Sequence, residues 1–148
     1  MTDRYEAMID YAQQTIDASP SNVNVVESLA NAFVTAYQKN LGRFRLLESA
    51  IITNPSHAER VGRTRGQILE FAVQTLGRAY PIGRKDLETA VLLLVLPIRE
   101  LHYKKEFWPD VDRDAQRLTN DVIDAVVAFL EERAASSGKR IGKRTKTK

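Results

Sequence analysis

Along most of this chain apolar residues return every three or four positions, and no stretch alternates apolar with polar in the period of two that a half-buried strand requires. That rhythm confines the chain to helices packed on helices. Pro20, Pro55, Pro81, Pro97 and Pro109 punctuate it. Proline disfavours helical geometry in the residue before it and donates no backbone hydrogen bond, so each marks a predicted boundary or bend.

Tyr5, Met8, Ile9, Ala12 and Ile16 share one face of a predicted helix over 3–17 that ends near Pro20. Asn24, with Glu27 three residues on, reads as a capping box. From there the stripe Val26, Leu29, Phe33, Tyr37, Leu41, Phe44, Leu47 and Ile51 predicts one long helix, bent at Gly42 and closed by Asn54-Pro55. Ser56 to Glu59 reads as the cap of a third helix, which buries Val61, Ile68, Leu69, Ala72, Val73, Leu76 and Tyr80 and stops at Pro81-Ile82-Gly83. A fourth starts near Asp86, is apolar all round from Ala90 to Leu96, and should be central, with a kink or break at Pro97. The last runs from Asp112 or Asp114 to about Ala135. Its apolar positions, from Ala115 to Leu130, cover more than one face, which implies two partners: the chain's own core and another subunit. The expected fold class is all-α, a bundle of about five to six helices, with a helical body over 1–135 and a basic, flexible tail over 136–148.

Composition narrows the chemistry. A chain of 148 residues closes a core without a staple, and the absence of cysteine excludes disulfides, thiolate metal sites and cysteine nucleophiles. MTDRYEAMID lacks the apolar run of a signal peptide, and Ala90 to Leu96 falls far short of the ~20 residues that cross a bilayer. A cytoplasmic protein without membrane contact is expected. The net charge is +3, but Lys139, Arg140, Lys143, Arg144, Lys146 and Lys148 supply six positive charges at the end, so residues 1–137 sum to −3. An acidic body argues against an extensive nucleic-acid face on the folded part.

No catalytic motif emerges, and neither an enzyme nor a cofactor is expected. His57 and His102 lie far apart in sequence, outside any triad or metal-ligand spacing. Asp110, Asp112, Asp114 and Asp121 follow a calcium-loop rhythm, but Ala115 stands where glycine must permit the turn and Asp121 replaces the bidentate glutamate, so no metal site is expected. Gly62 and Gly66, four residues apart, suggest close helix contact. Arg60, Arg63 and Arg65 read as a solvated face. Lys139, Arg140, Lys143 and Arg144 offer phosphate contacts without base information, or a plain solubilising tail. Phe33, Tyr37, Phe44, Phe71, Tyr103, Phe107 and Trp108 come from three segments that must pack together. They form either core or the walls of a pocket for a small organic ligand, oriented by Tyr37, Arg45 or His102.

The order of these elements, a helix ending at Pro20, a long aromatic helix, a capped helix, then ETAVLLLVLPIREL and DAQRLTNDVIDAVVAFLEE, resembles the C-terminal domain of TetR-like transcription regulators over about residues 3–135. The resemblance implies a ligand-sensing and dimerising domain. Two subunits would pair through their last two long helices as a four-helix bundle, here through Leu92, Val95, Val122, Ile123, Val126, Val127 and Leu130. The middle helices would enclose a small apolar or aromatic effector among Phe33, Tyr37, Phe44, Arg45, Phe71, Ile98, His102 and Trp108. The family carries a helix-turn-helix ahead of this region, whereas here the helix with Tyr5 and Met8 matches the connecting helix, so DNA would be reached through a missing N-terminal domain or weakly through the basic tail. A truncated piece, a start assigned too far downstream and a headless relative that pairs with a complete regulator all remain open.

Overall fold

The computed structural model describes residues 2–18, 24–103 and 114–146, and every regular element among them is a helix. These are α1 (Thr2–Ala18), α2 (Val25–Thr53), α3 (Pro55–Ala79), α4 (Arg84–Tyr103) and α5 (Ala115–Lys146). The all-α class expected from the periodicity is the class observed. No helix among the described residues is long and apolar enough to cross a membrane.

Local chemistry sets the boundaries. Asn24 caps α2 by accepting the Val26 N–H at 2.7 Å, and its amide donates to the Tyr80 hydroxyl at 3.1 Å, tying the start of α2 to the end of α3. Asn54 serves two helices. Its backbone N–H closes α2 on the Ala50 carbonyl at 3.0 Å, while its side-chain oxygen accepts the Ser56 N–H at 3.1 Å and the Ser56 hydroxyl at 2.8 Å. The cap of α3 is therefore Asn54 and not Ser56, because Pro55 fits the first helical position, where its missing donor costs nothing.

α4 packs against α2, α3 and α5, and α1 lies along α2 and α3. The core gathers Val26, Leu29, Ala30 and Phe33 of α2, Ala72, Val73 and Leu76 of α3, Leu87, Ala90, Val91, Leu94 and Ile98 of α4, and Ile123, Val126 and Leu130 of α5. Gly77 permits the close approach of α3 to α4: a Cβ there would sit 3.3 Å from Leu87 Cδ1. Gly62 and Gly66 do not have that role, since a Cβ at either meets nothing within 4 Å. Ion pairs reinforce the same seams. The Arg84 guanidinium donates to both carboxylate oxygens of Glu70 on α3, and Arg133 of α5 lies 3.9 Å from Asp86 in the first turn of α4.

Where the sequence predicts a kink or a break at Pro97, α4 is not broken: it runs through, so the missing N–H costs one rung of the helix and does not end it. α5 continues past the expected end at Ala135, through Gly138 and Gly142 to Lys146, so the segment anticipated as a flexible tail is helical to that point.

Candidate functional site

The central position of α4 gives it two working sides. Leu87, Ala90, Val91, Leu94 and Ile98, spaced by three or four, form the side sunk into the core. On the other side stand Leu92, Leu93 and Leu96, exposed at 49%, 47% and 53%, on a face shared with the exposed Lys85, Thr89 and Glu100. Leu92 and Leu96 are four residues apart and Leu93 and Leu96 three, so the three side chains adjoin within little more than one turn. Burial of the opposite side fixes the rotation of α4, and the leucines face out because no other helix among the described residues covers them.

The residues expected to join two subunits divide. Leu92 lies on the outward face. Val95, Val122 and Val127 are half-buried and pack against the core. Ile123 at 7%, Val126 at 2% and Leu130 at 0% exposure are core residues of the same chain and have no surface to offer a partner. The breadth of the apolar face on α5 arises because α5 packs against both α4 and α2 of its own chain. Its outward side instead carries Asp121, Asp124, Ala125, Ala128, Glu131 and Glu132. Leu93 and Leu96 were not among the expected contacts. The run from Ala90 to Leu96 is apolar all round, so the sequence holds no contrast that would mark its outer side.

The residues expected around an effector also divide. Phe33 and Ile98 meet in the core, with Tyr37 and Phe71 half-buried against it. Arg45 is exposed on the far half of α2. Phe44 lies on α2, with its side chain outside the described residues, and Trp108 lies outside them altogether. Lys139, Arg140, Lys143 and Arg144 occupy positions on α5, their side chains likewise outside the description. Asp110 and Asp112 fall in the undescribed segment, and no group of three or more metal-ligating side chains occurs among the described residues.

His102 stands one turn beyond Ile98 and faces α5. Its Nε2 is 2.9 Å from Oγ1 of Thr119, which is 1% exposed. That hydroxyl spends its one proton on the Ala115 carbonyl, 2.7 Å away. Oγ1 therefore accepts, and His102 carries a proton on Nε2 and donates it. The bond satisfies a buried oxygen and joins α4 to α5 at the end of the bundle opposite the Arg133–Asp86 pair.

Near the start of α4 the hydrogen bonds from Arg84 hold the Glu70 carboxyl below its ordinary pKa, against a smaller opposing effect of desolvation, and Glu70 and Glu88 together raise Arg84. Both partners are exposed, so the pair fixes the geometry of the α3–α4 turn and adds little stability. Compared with known proteins, the chain matches no family model, no curated protein and no solved structure.

Proposed function

We propose that this chain is the effector-binding and dimerisation domain of a TetR-like transcription regulator, pairing with a second copy through the outward leucine face of α4. The observation that carries the reading is the half-exposure of Leu92, Leu93 and Leu96 on a helix whose other side is fully buried. A contiguous apolar patch rimmed by charge is what a protein interface offers. A two-fold axis through that patch sets each leucine group against its own copy, the self-complementary arrangement commonest among soluble oligomers.

The sensing half of the reading draws on the inner side of the same helix. Phe33, Tyr37, Phe71 and Ile98 converge between α2, α3 and α4 and supply apolar and aromatic walls suited to a small organic effector. A ligand seated there bears on α4 from within, while the subunit contact bears on it from without. Displacement of α4 therefore links occupancy to the spacing of the two subunits, and a coupling of about 1 to 3 kcal/mol is typical of such linkage.

The natural lack of cysteine permits a clean test. Leu96→Cys places one thiol on the expected two-fold contact, and Leu46→Cys places one at a residue that is 72% exposed on α2. Under mild oxidation the Leu96→Cys protein is expected to form a covalent dimer rapidly and the Leu46→Cys protein to remain single. Equal rates for the two would remove α4 from the interface.

A further inference from the structure

α5 does not stop where its apolar side stops. Leu130 is its last fully buried residue among those described, and the Arg133–Asp86 pair marks where it passes the first turn of α4. The helix then continues to Lys146, roughly 20 Å further at 1.5 Å per residue. From residue 136 onward the chain has no acidic residue, whereas the outward side of α5 before that point carries Asp121, Asp124, Glu131 and Glu132.

Helical geometry arranges the basic positions. At about 100° per residue, positions 139, 143 and 146 fall along one line of the helix, and 140 and 144 along a line beside it. Positions 139, 140, 143, 144 and 146, each lysine or arginine in the sequence, thus fall within less than half of the helical circumference, and positions 138, 141, 142 and 145 fall in the rest. We infer that this basic end of α5 is a binding site for the phosphate backbone of duplex nucleic acid, engaged without reading base sequence.

Three observations favour that partner. A duplex carries about one negative charge per 1.7 Å of axis, so basic residues at neighbouring positions of one helix side meet phosphates whatever the register. A membrane-surface helix needs a broad apolar face, and Ile141 is the single bulky apolar residue after position 136. Favourable interaction with the helix dipole falls off within the last turn, so it accounts for Lys143, Arg144 and Lys146 but not for Lys139 and Arg140. Residues 1–137 sum to −3, which concentrates the attraction at this end. The inference stands whether or not α4 pairs two copies.

The test is fluorescence anisotropy of a short, labelled, mixed-sequence duplex DNA titrated with the full chain at several salt concentrations. Five phosphate contacts predict a log–log salt slope of about −4 to −5, a loss of affinity on the order of several hundred-fold between 50 and 200 mM, with no change on scrambling the DNA sequence. Changing Lys139, Arg140, Lys143, Arg144 and Lys146 together to Gln keeps good helix formers in place and should abolish binding, whereas Arg63→Gln with Arg65→Gln, exposed on α3, should leave it intact. Gly138→Pro, which keeps every charge but interrupts the helix, should weaken binding; undiminished affinity would overturn the role of the helix. Wild-type affinity in the Gln variant, loss in the α3 variant, or binding to phosphatidylserine vesicles but not to DNA would each overturn the site.

Discussion

Replacing Thr119 by valine removes one hydroxyl while nearly preserving the shape of the side chain, and so isolates the bond that locks α4 to α5. The Thr119 hydroxyl bonds both the Ala115 carbonyl and His102. Losing the first bond costs little, because a carbonyl within a helix already accepts a backbone N–H. Losing the second sets a methyl group against the His102 N–H, and an unsatisfied buried donor costs about 1 to 3 kcal/mol. His102 is only half-buried, so water recovers part of that, and the added methyl returns somewhat under 1 kcal/mol. A net loss of about 1 kcal/mol is expected. Because His102→Ala also removes ring contacts, the bond itself is read from a double-mutant cycle of Thr119→Val and His102→Ala, by urea unfolding at constant m-value. The expected coupling is about 1 kcal/mol. A value below about 0.3 kcal/mol, where independent sites fall, would refute the bond and the tautomer deduced from it.

Gly62→Ala and Gly66→Ala, in the open interior of α3, should each stabilise the fold by about 0.5 to 1 kcal/mol, while Gly77→Ala should gain less or lose because its Cβ presses on Leu87; urea midpoints that rise equally for all three would contradict the α3–α4 packing. Val126→Glu should give an unfolded chain and not a separated subunit, since the carboxylate would be buried without a partner; a helical monomer by circular dichroism and sedimentation would contradict that. The folded-state pKa of Glu70 is depressed, so its contribution is complete above the unfolded value and lost as pH falls through the folded one. Thermal melts of wild type and Glu70→Gln should therefore differ slightly at neutral pH and converge in acid, more weakly at high salt, and a gap that widens toward acid would contradict the pairing.

How far the sequence speaks depends on contrast. Asn24 and the Tyr80 to Gly83 turn were legible because capping and turn chemistry are local. α3, whose apolar positions stand against a polar background, showed its buried face for the same reason. α4 and α5 did not, since each carries apolar residues on several sides and only the placement of neighbouring helices decides which side is covered. Ile123, Val126 and Leu130 thus read as a surface for another subunit when they belong to the chain's own core, and Leu93 and Leu96 passed as interior. Pro97 read as a kink or a break because proline acts locally against a helix; α4 is not broken there, and the buried residues on either side of it, Leu94 and Ile98, hold it together. Past Ala135 the apolar pattern that signals a packed helix ends, so helical continuation there left no mark of that kind.

The half-exposed areas of three leucines, counted on both subunits, represent roughly 5 to 9 kcal/mol of apolar burial before the entropic cost of association. Lysine at Leu92 and Leu96 forfeits most of that and disturbs the free subunit little, because both positions already touch water. Sedimentation velocity on wild type and the Leu92→Lys, Leu96→Lys double variant measures the consequence. A dimeric wild type and a folded, monomeric variant are the predicted pair of results; a monomeric wild type, or two species of equal mass, would contradict the assignment of this helix face as the meeting place of two copies.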